Sequence, residues 1–204
     1  MGDPHTPEPE FFESIYRRAG RDPGSIPWAE MEPTPLLVRW LQETRCGPGD
    51  AVVVGCGLGD DAEALAAAGW NVTAFDLSPA AIGWCRERFP TSTVDYRVQD
   101  LTDLPAPWLG AFNLVMEART IQSFRPEKQR QAIAWISDLL SEGGRLLVAA
   151  LGHRGAPRVT GPPWPVAEAD LSAFLERGLE LHDFSANPSP WEGFELFELE
   201  YRKA

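Results

Sequence analysis

The chain has 204 residues, 44% of them hydrophobic, with 18 Lys and Arg against 30 Asp and Glu for a formal net charge of −12. That length suits one domain spanning residues 1–204 with a substantial core, and that charge repels a phosphate backbone, which excludes nucleic acid as a general partner. No apolar run approaches the ~18 residues of a membrane helix, so no membrane association is expected.

Residues 1–10 are rich in Pro and Glu and read as a flexible tail, without the basic-then-apolar pattern of a secretory signal. Residues 11–45 form an N-terminal helical cap. Phe11 to Arg18 is a short helix with Phe11, Phe12, Ile15 and Tyr16 on one side, and after a Gly/Pro-rich loop carrying Pro27-Trp28, Pro35 opens a second helix. The chain then alternates. Ala51 to Val54 is a strand, Asp60 to Ala68 a helix closed by Gly69, and Asn71 to Phe75 a second strand. Ser78-Pro79 caps a helix running to about Phe89. Val94 to Val98 and Phe112 to Met116 are strands, Pro126 to Leu140 is an amphipathic helix, and Arg145 to Leu151 is a fifth strand. Gly152 to Pro165 reads as a loop and Ala167 to Glu176 as a helix. Leu179 to Phe184 and Phe194 to Tyr201 form a closing antiparallel pair.

This rhythm predicts an α/β fold: a doubly wound, Rossmann-like, seven-stranded, mostly parallel sheet with an antiparallel C-terminal strand, plus N-terminal helices. In such sheets ligands bind outside the carboxyl ends of the strands. The positions to inspect are therefore Gly55 to Gly59, Asp76, Asp100, Glu117 and His153.

The first of these positions is the most specific. Gly55, Gly57 and Gly59 follow a buried strand in a G-x-G-x-G spacing, where the dinucleotide fingerprint has G-x-G-x-x-G. The third dinucleotide glycine is replaced by Asp60, and Asp61 follows. Two carboxylates there suit the helix dipole and repel a pyrophosphate. The expected ligand has a nucleoside but no phosphate at that turn, and S-adenosylmethionine (SAM) meets both conditions. Asp76, ending the second strand, is placed to accept the ribose hydroxyls. Cys46, Cys56 and Cys85 are odd in number and not in a metal spacing, so free thiols, no metal centre and a cytoplasmic location are expected.

With these residues laid out, the chain resembles the class I SAM-dependent methyltransferases from Ala51 to Leu151, and by element order to Tyr201. Pro27-Trp28, Gly161-Pro162-Pro163-Trp164-Pro165 and Asp76-Leu77-Ser78-Pro79 resemble the thiopurine S-methyltransferase-like branch. The resemblance implies that Gly55, Cys56, Gly57 and Gly59 line the methionine and ribose part of SAM, and that Asp76 and Leu77 hold the ribose. It further implies that Asp100 and Leu101 hold the adenine, that Trp28 covers the cofactor, and that Glu117 faces its methionine end. Many members carry an acid where this chain has Val53, leaving Asp60 or Glu117 to orient the SAM amino group. The thiopurine enzymes carry Asp-Arg-Gly where this chain has Glu117-Ala118-Arg119.

The expected activity is methyl transfer to a small-molecule acceptor, with Glu117 and His153 as candidate general bases. A non-catalytic SAM-binding protein and, on weaker grounds, an NAD-dependent oxidoreductase are the alternatives. Trp28, Trp164 and Trp191 stand in Pro-rich loops, where a tryptophan either walls a pocket or packs its loop onto the sheet.

Overall fold

The computed structural model describes residues 9–44, 47–155 and 162–204. Its centre is one mixed sheet built from β1 (Asp50–Val54), β2 (Asn71–Asp76), β3 (Asp95–Val98), β4 (Phe112–Ala118), β5 (Leu140–His153), β6 (Val166–Ala167), β7 (Leu179–Pro188) and β8 (Glu195–Lys203). The path across it is β3-β2-β1-β4-β5-β8-β7. The first five are parallel, and β8 lies antiparallel to both β5 and β7. These are the seven expected strands; the two-residue β6 adds an eighth beside the end of β5.

Side-chain alternation along each strand sorts the core into two layers. Val52, Val54, Val115 and Leu146 face α5 (Pro126–Asp138), packing on Ile133 and Ile136. Ala51, Val53, Leu114 and Leu147 face α2 (Pro35–Glu43) and α3 (Asp60–Ala67), packing on Leu37, Trp40 and Leu65. Each fully buried Leu or Ile contributes roughly 1.5–3 kcal/mol. Burial on both faces explains why these strands read as continuous apolar runs.

The N-terminal helix α1 (Pro9–Ala19) is tied to α4 (Pro79–Arg88) by a polar contact as well as by packing. Ser78 caps α4 as expected, its Oγ accepting the Ala81 N–H at 3.1 Å. Glu13 of α1 completes that terminus: its Oε2 accepts from the Ser78 hydroxyl at 2.6 Å and from the Ala80 N–H at 3.0 Å. A carboxylate there satisfies orphan helix donors and complements the dipole. Tyr16 and Ala19 pack against Ala81 and Trp84 over the same junction.

Three expectations change. The helix expected over Ala167 to Glu176 is shorter, because Val166 is fully buried where β6 pairs with Gly152 and His153 of β5. A 3-10 turn over Glu168–Leu171 follows, then α6 (Ser172–Glu176). Pairing with the sheet overrides local helix propensity here. β5 starts at Leu140 instead of Arg145, taking Gly143-Gly144 into the strand opposite a register shift between Phe112 and Leu114. β7 continues to Pro188 beside β8. Of the expected tail, residues 1–8 lie outside the described residues and Pro9 and Glu10 open α1; Cys46 also lies outside them.

Candidate active site

A cavity of about 540 Å³ opens at the carboxyl ends of the parallel strands, lined by Gly55 and Gly57 after β1, Asp76 and Leu77 after β2, and Asp100 and Leu101 after β3. An adjoining cavity of about 100 Å³ shares Trp28, Glu30, Gly55, Gly57, Ala118 and Arg119 with it and reaches Cys56, Asp60 and Asp61. The β1–β4 neighbourhood, where the strand order reverses, lies between them.

The glycine turn divides its work. Gly55 has φ +58° and packs so close to Thr120, after β4, that a Cβ would collide with that hydroxyl. The Thr120 Oγ1 donates to the Val54 carbonyl at 3.0 Å, stitching the ends of β1 and β4 together. Gly57, φ +53°, leaves its Cβ position facing the Tyr16 hydroxyl at 3.3 Å. Gly59 lines neither cavity, contrary to the cofactor-contact role expected of it. Its φ is +91° and its Cβ position lies 2.5 Å from the Tyr96 hydroxyl and 3.2 Å from Cys85 Sγ, so it is required for packing of the turn onto β3 and α4.

Asp76 is 8% exposed and faces the larger cavity. Its Oδ2 accepts the Gly57 N–H at 3.0 Å and its Oδ1 the Ser78 N–H at 2.9 Å, so the carboxylate fixes the glycine turn and the start of α4 at once. Burial pushes its pKa up to about 6, the two backbone N–H groups pulling the other way. Asp100 also reaches the cavity, with Oδ1 accepting the Thr102 N–H at 2.8 Å.

The roof comes from the N-terminal segment. Trp28 Nε1 donates to the Tyr16 hydroxyl at 2.9 Å, their rings edge-on at 5.8 Å. Burial first, then the nearby Asp76, raises the Tyr16 pKa well above its ordinary value, so the phenol stays protonated. Cys56 is half-buried in the smaller cavity. Its thiol pKa is raised well above normal by a hydrogen bond with Cys85 and by burial, which fits a packing residue and not a nucleophile.

Both candidate bases fall outside the cavity. Glu117 is fully buried beneath the turn after β4, its Oε1 accepting the N–H groups of Thr120 at 2.5 Å and Ile121 at 2.9 Å. Burial raises its pKa to about 7, and Oε2 has no hydrogen-bond partner among the described residues. It holds the turn and lines neither cavity, although Ala118 and Arg119 beside it line both. His153 ends β5 with Nδ1 against the Gly155 carbonyl at 2.6 Å and lines neither cavity. Asp60 is also committed: Arg88 grips both its oxygens, at 2.7 and 3.0 Å. Asp61 accepts from the Thr34 N–H and hydroxyl at 2.6 and 2.8 Å. Among the tryptophans, Trp28 and Trp191 line the cavity. Trp164 instead anchors its loop, its N–H donating to the Gln122 carbonyl at 2.7 Å and its carbonyl accepting from Gln129 Nε2 at 2.7 Å.

Four positions that shape the site were not among the expected site residues. Glu13 and Tyr16 looked like an ordinary helix face. Arg119 pairs with Glu30 where the two cavities meet, from a backbone with φ +67° that is uncommon outside glycine. Gln122 carried no signal in the sequence; it is buried yet lines the cavity.

Residues 51–144 match the family model described as a methyltransferase domain. The chain is similar to a probable thiol methyltransferase 2 of Arabidopsis thaliana, 27% identical over 154 residues, covering 74% of this chain and 67% of that protein. It is also similar to a ubiquinone biosynthesis O-methyltransferase of Xanthomonas axonopodis pv. citri, 31% identical over 159 residues, covering 68% of this chain and 66% of the relative. The matches cover from 43% to 67% of the length of these curated relatives. Among solved structures, a Burkholderia thailandensis 1,6-didemethyltoxoflavin-N1-methyltransferase with bound S-adenosylhomocysteine has the same fold, with a TM-score of 0.75 at 20% identity, covering 100% of this chain and 92% of that one.

Proposed function

We propose that this chain, which belongs to the class I SAM-dependent methyltransferases, transfers a methyl group from SAM to a small apolar acceptor, working as one domain in the reducing cytoplasm. The observation that carries this reading is the buried Asp76 carboxylate facing a cavity at the strand ends, beside a glycine turn free of phosphate-binding features. No helix of the described residues is long and apolar enough to cross a membrane.

The residues present fit SAM. Asp76 would accept the ribose hydroxyls, with Leu77 beside it; Asp100 and Leu101 would hold the adenine; Gly55, Cys56 and Gly57 would border the methionine part, under Trp28. The Arg119–Glu30 pair at the junction of the two cavities suits a zwitterion, Glu30 facing an ammonium and Arg119 a carboxylate. This takes over the role left open by Val53. When bound, SAM supplies a methyl group on a good sulfonium leaving group. The protein's part is to align the incoming nucleophile and exclude water.

A soft acceptor is favoured. The acceptor end of the cavity is walled by Phe11, Phe12, Phe124, Leu151, Trp191 and Leu196, and among its described residues there is no acid or imidazole. A thiol, which ionises to a thiolate by losing its proton to water, needs no such base; the similarity to a thiol methyltransferase supports the same class. With SAM bound, the thiolate sulfur would accept the methyl group and S-adenosylhomocysteine would be the leaving product. The test is calorimetric titration of wild type and Asp76→Ala with S-adenosylhomocysteine and with NAD, followed by labelled SAM against thiols, halides, phenols and amines. Binding of S-adenosylhomocysteine, weakened about 10–100-fold by the substitution, and turnover of thiols are expected. Binding of NAD alone would sink the reading, and cofactor binding without turnover of any acceptor would leave a non-catalytic SAM-binding protein.

A further inference from the structure

Gln122 sits in the turn Ile121–Ser123 after β4 and is 5% exposed, yet its side chain reaches the cavity. The Leu151 N–H, near the end of β5, donates to Gln122 Oε1 at 2.6 Å. A backbone N–H can only donate, so this bond settles which end of the carboxamide is oxygen. The other end, Nε2, has no partner among the described residues, on a residue that lines the cavity. The result is an oriented N–H₂ donor on a residue of a cavity whose lining also includes Phe124, Leu151, Trp191 and Leu196. The backbone of the same residue is pinned, its carbonyl accepting from Trp164 at 2.7 Å, so the donor is held from two sides. A donor facing an apolar space gains most from a ligand that brings a lone pair or negative charge to it.

We propose that Gln122 is a specificity-determining residue for the methyl acceptor. Its Nε2 donates to an anionic or lone-pair atom of an apolar substrate, in the simplest case the thiolate sulfur of an arylthiol, and it discriminates against cationic ammonium acceptors. This rests on the methyltransferase reading above and deepens it, because it assigns a charge preference to the acceptor that the apolar walls alone do not set.

The test uses the full chain saturated with S-adenosylhomocysteine, a complex that cannot turn over, titrated with benzenethiolate and with benzylammonium. Gln122→Leu removes the donor. Gln122→Glu keeps an oxygen for the Leu151 N–H and presents a second oxygen where the donor was, so it remains informative if the leucine variant folds poorly. Benzenethiolate is expected to bind Gln122→Leu about 10–100-fold more weakly than wild type. Gln122→Glu should bind it more weakly still while gaining affinity for benzylammonium, with S-adenosylhomocysteine affinity unchanged in both. Equal thiolate affinity in all three proteins, or no thiolate binding by the wild-type complex, overturns the assignment. Failure of wild type to bind S-adenosylhomocysteine at the outset would instead mark failure of the underlying methyltransferase reading.

Discussion

The two ends of the cavity are built in different ways. The end we assign to the cofactor draws on backbone turns and short acids that close β1, β2 and β3, with Asp76 bonded to Gly57 and Ser78, beneath Trp28 of the N-terminal segment. The end we assign to the acceptor draws on side chains of α1, the turn after β4, the end of β5 and the chain around Trp191. At the first end Asp76 accepts from Gly57 and Ser78; at the second, the Leu151 N–H donates to Gln122, 29 residues away. The first end is therefore tied to the sheet and its turns, and the second can change substrate by exchanging side chains.

The largest expected effect lies in the glycine turn behind the cavity, at a residue that packs it onto β3 and α4. Gly59→Ala forces a side chain into φ +91° and against the Tyr96 hydroxyl, and should cost about 3 kcal/mol or more in denaturant unfolding. A loss below 0.5 kcal/mol would break the claim that this turn is sterically determined.

Glu117→Gln separates support of the fold from catalysis. Glu117 has a folded pKa of about 7 against an ordinary 4.5. Its contribution is fully present below the unfolded value and is lost as pH rises from about 4.5 through 7, by roughly 3 kcal/mol over that window. The glutamine keeps an oxygen for the Thr120 and Ile121 N–H groups without the buried charge. The variant should be the more stable protein at pH 8, flatten the pH dependence of unfolding between those limits, and methylate its acceptor at the wild-type rate. A loss of turnover of a hundredfold or more would restore Glu117 as a base.

Asp76 sharpens the comparison through pH. Its folded pKa of about 6 lies above the ordinary 3.8, so its own contribution to stability also declines as pH rises through that interval. Accepting two hydroxyls requires the charged form, so S-adenosylhomocysteine affinity should fall as pH drops below about 6, with proton release on binding near that pH. Asp76→Asn should lose about tenfold or more in affinity and show no such pH dependence. A pH-independent wild type would separate this residue from the ribose.

The acceptor end should answer differently. Trp191 is 54% exposed, so Trp191→Ala should leave the melting temperature within a degree or two while raising the acceptor KM about three- to tenfold. Trp164→Ala should leave KM unchanged, since that ring lies under Arg125 and outside the cavity. The smallest effect is expected from His153→Ala, with kcat and KM both at wild-type values; a pH-rate profile that lost a limb near neutrality would contradict its placement outside the site.

Local pattern determined most of the scaffold and the cofactor end. Apolar runs with glycine and proline punctuation located the strands and helices of the parallel half, because strands buried on both faces tolerate little else. The spacing of Gly55, Gly57 and Gly59 with Asp60, and the acid at the end of β2, pointed to a nucleoside ligand without a phosphate, because those features act within a few residues of one another. What each glycine is for was not legible: Gly59 has its neighbours in Tyr96 and Cys85, some 26 to 37 residues away along the chain. The same distance hid the commitment of Asp60 to Arg88, the burial of Glu117, the capping of α4 by Glu13 and the fixed amide of Gln122. A polar side chain's role depends on which partners reach it and whether water does. Only the packed tertiary structure decides those two things, because both are set by elements the local sequence does not contain.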